Sequence, residues 1–222
     1  MEIIAYIRTD FPTKFGVPRQ SGLVDALRGH ISFVGAYKNP DCVRGLEGFS
    51  HIWLLWSFSE VRREQWSATV RPPRLGGNTR MGVFATRSPF RPNPIGLSCV
   101  RLLHVEYTQK DGPILHVAGA DLIDGTPIYD IKPYLPFTDS HPDAQYGFAE
   151  RQHCLEVRCP DELLSRIPPD SREAMLEILR QDPRPAYQCD PTRRYGIPFA
   201  GWDIRFTVSE DGVLSVHDLV KC

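Results

Sequence analysis

The sequence predicts a mainly β protein, a β-barrel or sandwich of short strands followed by a short C-terminal α+β domain. Three observations predict this fold class. Short runs rich in Val, Ile, Leu and aromatic residues recur along the first part of the chain. The chain has 20 prolines and 17 glycines, which cluster between these runs as turn residues. A helical pattern occurs in the tail. Many short strands with irregular connections favour a barrel or sandwich over an α/β layer fold.

Composition and flanking turns define the strands expected in the first part of the chain. Within Cys99–Glu106, apolar and polar residues partly alternate, which is typical of a half-buried strand. Turn residues such as Asn39-Pro40 and Asp111-Gly112 separate the runs. The predicted strands are Glu2–Ile7, Ile31–Val34, Ile52–Phe58, Met81–Thr86, Leu97–Glu106 and Ile114–Ala118.

The tail has a different character, and the pattern predicts a domain boundary between residues 145 and 152. We therefore expect a barrel or sandwich domain over residues 1–148 and a small α+β domain over residues 149–222. In the tail, His153–Arg158 is a predicted strand, and a helix is expected from Asp170 or Ser171 to about Arg180. Trp202–Ser209 and Val213–Leu219 flank Asp211-Gly212 and predict a hairpin.

Composition restricts the classes of function. The formal net charge is −1, so any contact with nucleic acid must be made by local basic clusters. No uncharged apolar run approaches the roughly 18 residues that span a membrane, and the N-terminus is interpreted as a first strand. The six cysteines form no CxxC pair, which favours buried thiols and a metal-free protein in a reducing, cytoplasmic compartment.

Several common enzyme motifs are absent from the sequence. There is no GxGxxG after a first strand, which argues against a Rossmann-type nucleotide site. The sequence also lacks a GKS or GKT phosphate loop, an HExxH zinc motif and a GxSxG nucleophile elbow. Candidate functional residues must therefore be sought in the loops.

The segment Gly82–Ser98 is the first candidate loop. It places Arg87 and Arg91 among several prolines, which lower the entropy lost when a loop is held in one shape. Arginines on a rigid loop suit bidentate contact with carboxylate or phosphate. A proline-rich turn with solvated or locally paired arginines is the alternative interpretation.

Three further segments combine turn residues with polar side chains. Asp121–Tyr134 is interpreted as a loop whose Asp124-Gly125 turn offers backbone amides and carboxylates to a polar ligand, although Asp-Gly is also a common turn. Gly16–Gln20 places an arginine and an amide after a proline. Val70–Arg74 carries two arginines on an extended proline stem that suits phosphate contacts, although a solvated loop explains it equally.

Taken in order, six motifs resemble those of the TsaA-like β-barrel family, whose bacterial members are the TrmO tRNA methyltransferases. The motifs are VPRQ, VRGLEGFSHIW, VRPPRLGGN, RMGVFATRSPFRPNPIGLS, DLIDGTPIYDIKPYLPF and QDPRPAY. The resemblance covers nearly the whole chain. It implies a small antiparallel β-barrel with a short C-terminal domain, acting as a homodimer.

The resemblance also implies an activity and a cofactor site. The family methylates N6 of threonylcarbamoyladenosine, next to the anticodon of tRNA, with S-adenosylmethionine. Relatives often carry a His-Gln pair at the end of the strand after FSHIW, where this chain has Ser59-Glu60. The cofactor residues implied are Pro18, Arg19, Gln20, Ser59, Glu60, Arg87, Leu97, Asp124, Gly125, Thr126 and Pro127.

Residue chemistry within the matched motifs suggests further roles. Asp130 and Tyr134 are the hypothesised groups that assist proton removal from N6. The residues expected to contact the tRNA substrate are Arg71, Arg74, Arg91, Lys132 and Arg184. Two alternatives remain open at this point: a non-catalytic module that binds S-adenosylmethionine or RNA, and a methyltransferase with a small-molecule acceptor.

Overall fold

The computed structural model describes residues 1–60, 66–149, 154–184 and 190–222. The strands of its first part are β1 (Ala5–Arg8), β2 (Arg28–Phe33), β3 (His51–Ser57), β4 (Thr69–Val70), β5 (Met81–Gly82), β6 (Ile95–Thr108), β7 (Gly112–Ala118) and β8 (Pro127–Pro133). Within these residues, six antiparallel strands close into a barrel in the order β1-β2-β7-β6-β3-β8. The strands β4 and β5 form a separate ribbon.

Alternation of buried and exposed residues explains how the barrel is filled. Along β3, Ile52, Leu54 and Trp56 are buried, while Trp53 and Leu55 between them are partly exposed. Side chains on a strand alternate between the two faces, so every second residue enters the barrel. Closure also leaves the six strands without an unpaired edge.

The tail forms a small sheet with a helix packed against it. Its strands are β9 (Glu156–Arg158), β10 (Tyr195–Phe199), β11 (Trp202–Val208) and β12 (Val213–Lys221), in the order β10-β11-β12-β9 with β9 parallel to β12. The α-helices of the described chain are α1 (Pro136–Asp139), α2 (Asp161–Leu164) and α3 (Pro169–Arg180). Short 3-10 helices span Gly35–Lys38, Pro40–Val43, Leu46–Gly48, Pro73–Leu75 and Val83–Ala85. None of the described helices is long and apolar enough to cross a bilayer.

The loop between β1 and β2 joins the barrel to the tail. Phe11, Val24 and Leu27 of this loop are buried in the same cluster as the apolar face of α3. The Phe11 ring lies 5.3 Å from the ring of Phe199 in β10. The tail therefore supports the loop that carries the VPRQ motif.

The predicted fold class is confirmed, with two local corrections. The segment interpreted as the Asp121–Tyr134 loop contains strand β8, which pairs with both β1 and β3 and so closes the barrel. Of the predicted strand Met81–Thr86, only Met81–Gly82 is a strand, and Val83–Ala85 is a 3-10 helix. The division at residue 148 stays a prediction.

The expectation that the cysteines lie in the core is wrong for the part of the chain that the structure describes. Cys42, Cys154 and Cys222 are exposed, and Cys99 and Cys159 are partly exposed. Cys189 lies outside the described residues. The core is instead filled by aliphatic and aromatic side chains.

Candidate active site

A cavity of about 540 Å³ lies where β3 ends and β6 begins. This volume falls in the range of about 300–1,000 Å³ that small-molecule sites occupy. The segments that line it lie far apart in the sequence and are brought together by closure of the barrel. They are Lys14 with Val17–Gln20, Trp56–Glu60, Arg87–Leu97 in part, Asp121–Ile123 and Thr126.

The VPRQ loop forms one wall of this cavity. Pro18, Arg19 and Gln20 all line it, as the family resemblance implies. Nη2 of Arg19 donates to the carbonyl oxygen of Arg184, 3.3 Å away, so the tail helps to hold this wall. Nη1 of Arg87 donates to Oε1 of Gln20 and links this wall to the opposite loop.

The floor of the cavity is a chain of hydrogen bonds between three elements. Nε1 of Trp56 donates to Oγ of Ser98 at 2.9 Å, and Ser98 donates to Oδ1 of Asp121 at 2.5 Å. The Trp56 ring also packs against Phe58, with 4.4 Å between ring centroids. A side chain at Gly96 is excluded, because its Cβ would lie 2.2 Å from the Trp56 ring.

Burial raises the pKa of Asp121, since a charged carboxylate is poorly solvated there. The hydroxyl of Ser98 and the charge of Arg87 act in the opposite direction but less strongly. Burial outweighs these effects, so the pKa of Asp121 stays above its ordinary value.

The DGTP turn contributes to the cavity through one of its four residues. Thr126 is buried and lines the cavity, and its hydroxyl donates to the carbonyl oxygen of Ile123 at 2.7 Å. Asp124 instead forms an ion pair with Arg8 at 3.2 Å, and Gly125 donates its N–H to the backbone of Ile7. Pro127 begins β8. Asp124, Gly125 and Pro127 therefore do not line the cavity, and Thr126 is the residue of this turn that does.

Ser59, Glu60 and Leu97 also line the cavity. Leu97 is 54% exposed, so it forms part of the rim, and Glu60 is exposed at the end of the described segment before residue 66. The Ser59-Glu60 pair therefore puts a carboxylate at this position.

The hypothesised proton acceptors do not line the cavity. Asp130 and Lys132 project from the same face of β8 and form an ion pair at 2.9 Å. The ring of Tyr134 lies 5.8 Å from that of Trp53 and 6.1 Å from that of His51, at the opposite end of β3 from the cavity. Their proposed role stays untested by this arrangement.

The basic residues expected to contact tRNA occupy different environments. Arg71 is exposed, and Arg91 lines the cavity with Nη1 donating to the carbonyl oxygen of Thr86 at 3.1 Å. Arg184 has a side chain only 14% exposed and pairs through two nitrogens with Asp182. The side chain of Arg74 lies outside the described part of the chain, as do residues 185–187 of QDPRPAY.

Sequence reasoning missed the hydrogen-bonded floor of the cavity. Trp56 and Ser98 are 42 positions apart, and Ser98 and Asp121 are 23 positions apart. Asp121 does begin the quoted DLIDGTP motif, but nothing in the local sequence distinguishes its carboxylate from those of Asp124 and Asp130. The pairing of β3 with β6 brings Trp56 to Ser98, and the pairing of β6 with β7 brings the segment that follows β7, with Asp121, to Ser98.

Comparisons with known proteins point to one family over nearly the whole chain. Family models described as the tRNA-methyltransferase O N-terminal domain and the TrmO C-terminal domain match residues 6–140 and 153–221. The tRNA (adenine(37)-N6)-methyltransferase of Escherichia coli K12 is 44% identical over 221 residues, which cover 95% of this chain and 94% of that protein. A Pseudomonas aeruginosa protein proposed to be an S-adenosylmethionine-dependent methyltransferase is 40% identical, over 97% of this chain and 95% of its own length. A crystal structure of TrmO from Pseudomonas aeruginosa matches with a TM-score of 0.78 and 34% identity, covering 98% of this chain and 97% of that one.

The closed barrel and the cavity at its end define the class of this protein, an antiparallel barrel with a cavity of small-molecule size. The matched domains cover both the barrel and the tail. The chain belongs to the tRNA-methyltransferase O family, which confirms the resemblance that the motifs indicated.

Proposed function

We propose that this protein transfers a methyl group from S-adenosylmethionine to N6 of adenine 37 in tRNA, as the name of the Escherichia coli relative describes. We further propose that the accepting adenine carries a threonylcarbamoyl group, as the family resemblance implies. The cavity is the main support for the proposal, because Pro18, Arg19, Gln20 and Arg87 all line it. The chain is also similar to that relative over almost its whole length.

The residues of the cavity fit the proposed cofactor. Its volume suits a nucleoside-sized ligand, and the rings of Trp56 and Phe58 offer apolar surface to a base. Arg19 and Arg87 offer cationic donors to a carboxylate. When bound, S-adenosylmethionine supplies a methyl group that is already activated by the positive charge on sulfur.

The protein's own contribution is to position the acceptor and to assist loss of its proton. N6 of a threonylcarbamoyl adenine lies between a ring and a carbonyl, so it is a weak nucleophile with an acidic N–H. Alignment of the two reactants accounts for much of such a reaction, and removal of the proton assists it. We propose that Arg91 and Lys132 hold the threonyl carboxylate. Asp130 and Tyr134 then assist removal of the N6 proton.

Replacing Asp130 with asparagine tests this assignment. We expect kcat for tRNA methylation to fall by at least about tenfold, because an amide cannot accept the proton, while the Kd for S-adenosylmethionine stays unchanged. Initial rates and calorimetric titration measure the two quantities. The matched control is Asp111→Asn, which removes another exposed carboxylate that pairs with a lysine. An unchanged kcat in Asp130→Asn removes Asp130 from the mechanism.

The proposed partners are the anticodon loop of tRNA and a second copy of the chain, in the cytoplasm where tRNA is modified. Exposed Arg71 and cavity-lining Arg91 are the supporting basic residues, since phosphate contacts fix the position of a nucleic acid. Leu97 and Leu103, 54% and 40% exposed on β6, offer apolar surface to a second copy. Light scattering of the purified protein measures the oligomeric state.

The decisive experiment supplies the protein with S-adenosylmethionine and tRNA that carries the threonylcarbamoyl group. We expect nucleoside mass analysis to find one added methyl group on that nucleoside. Binding of the cofactor without any methyl transfer supports a non-catalytic binding module instead. Transfer to a small molecule but not to tRNA supports the other acceptor class.

A further inference from the structure

One carboxylate of the cavity, that of Asp121, has no function in the assignments above. Asp121 lines the cavity beside Leu122 and Thr126. Its Oδ1 accepts the hydroxyl of Ser98 at 2.5 Å, and Ser98 in turn accepts from Nε1 of Trp56 at 2.9 Å. The side chain is therefore held by a hydroxyl that is itself fixed by a buried indole.

The Ser98 hydroxyl is a neutral donor, so this contact does not pair the negative charge of Asp121. Within the described residues, no lysine, arginine or histidine forms an ion pair with it. Arg87 acts on it only through space, because Nη1 of Arg87 is directed to Gln20. A partly buried, unpaired carboxylate is unfavourable unless it takes up a proton or a cation reaches it.

Apart from Asp121 and Glu60, the charged side chains that line the cavity are basic. The basic side chains that line it are Lys14, Arg19, Arg87 and Arg91. Glu60 is the second carboxylate, and it is exposed. The cations suit the carboxylate of an amino-acid-bearing ligand, which leaves Asp121 as the partly buried group for a positive charge.

We propose that Asp121 binds the positively charged part of the cofactor, its sulfonium or its ammonium group. The inference rests on the proposed function and adds a cofactor contact that the motif resemblance did not assign. The Ser98 hydroxyl, which also accepts from Trp56, orients the carboxylate toward the cavity. A ligand of the same shape without the positive charge lacks this contact.

The contact has a consequence for pH, because burial raises the pKa of Asp121 in the free protein. A bound cation stabilises the carboxylate and lowers that pKa, so the ligand binds the ionised form. Affinity for S-adenosylmethionine is therefore weak at low pH, rises with pH by up to about tenfold per unit, and levels off above the pKa of free Asp121. In the rising range, binding releases a proton.

The test is calorimetric titration of the wild-type protein and of Asp121→Asn between about pH 5 and about pH 8, the range that raised carboxyl pKa values reach. The ligands are S-adenosylmethionine and S-adenosylhomocysteine, which keeps the ammonium group but lacks the sulfonium. We expect Asp121→Asn to weaken S-adenosylmethionine binding at least about tenfold at the upper pH and to abolish the rise. A larger loss for S-adenosylmethionine assigns the contact to the sulfonium, and equal losses assign it to the ammonium.

A matched variant and a measurement on the wild type complete the test. Asp10→Asn removes a carboxylate whose pKa is also raised, mainly by burial, but which does not line the cavity, so the pH dependence should persist. Titration of wild type in buffers of different ionisation enthalpy should detect the released proton, even if Asp121→Asn does not fold.

Two results overturn the inference, and they are distinguishable. If wild type binds S-adenosylmethionine with no proton release and Asp121→Asn binds equally well, Asp121 has only a structural role and the proposed function stands. If wild type does not bind S-adenosylmethionine at all, the proposed function fails and the inference fails with it.

Discussion

Replacing Gly96 with alanine is expected to produce the largest loss of both stability and cofactor binding. The new Cβ would lie 2.2 to 2.6 Å from three atoms of the Trp56 ring, which is buried and cannot move aside freely. Relief requires Trp56 to leave its place, which breaks its hydrogen bond to Ser98. Overpacking and a broken buried hydrogen bond together cost about 3 kcal/mol.

Urea unfolding measures this loss of stability, and calorimetric titration with S-adenosylmethionine measures the loss of affinity, which we expect to exceed about tenfold. Gly82→Ala is the matched control in the same segment. Gly82 has a φ of −55°, and a Cβ added there would meet no atom within 4 Å. We expect Gly82→Ala to be neutral in both measurements. Wild-type stability in Gly96→Ala would show that Trp56 does not need this position.

The second large effect is expected from Arg87→Ala. Arg87 lines the cavity and is held by Gln20, so its guanidinium is positioned before a ligand arrives. Loss of a charge-assisted contact of this kind costs about 3 kcal/mol, which is roughly a 100-fold increase in the Kd for S-adenosylmethionine. Arg87→Lys keeps the charge but not the planar pair of donors, and we expect an intermediate affinity.

The control for Arg87→Ala is Arg158→Ala, which removes an exposed arginine of the tail that pairs with Glu156. We expect this variant to bind the cofactor as wild type does. If Arg87→Ala binds the cofactor normally but methylates tRNA more slowly, Arg87 contacts the acceptor and its proposed cofactor role is wrong.

Local patterns were sufficient to predict most of the strands and the long helix. Ile52–Phe58 was predicted and His51–Ser57 is observed, and the helix expected to end near Arg180 ends there as α3. These elements have strong alternation or helical spacing, and such signals are contained in a few consecutive residues. Strand β8 was missed because its two prolines and its aspartate resemble a loop. Its pairing with β1 and β3 supplies the stability that its composition does not predict.

The VPRQ motif lies together in the cavity lining, because its residues are consecutive in one short loop. Asp130 and Tyr134 are assigned to proton removal on residue chemistry within the matched motifs, and this role stays a prediction. In the structure, Asp130 pairs with Leu55 and Tyr134 follows Pro133, the partner of Ile52, and neither residue lines the cavity. A strand advances by about 3.3 Å per residue, and Thr126 and Tyr134 flank the two ends of β8.

The sequence by itself determined the class of fold, the helix of the tail, the family and the arginine-bearing loop Gly82–Ser98. Each of these depends on residues near one another in the chain. Only the tertiary structure decided that Trp56, Ser98 and Asp121 form the floor of the cavity, and that the tail supports its VPRQ wall. The physical reason is that these contacts depend on strand register and barrel closure, which arise from the packing of the whole core.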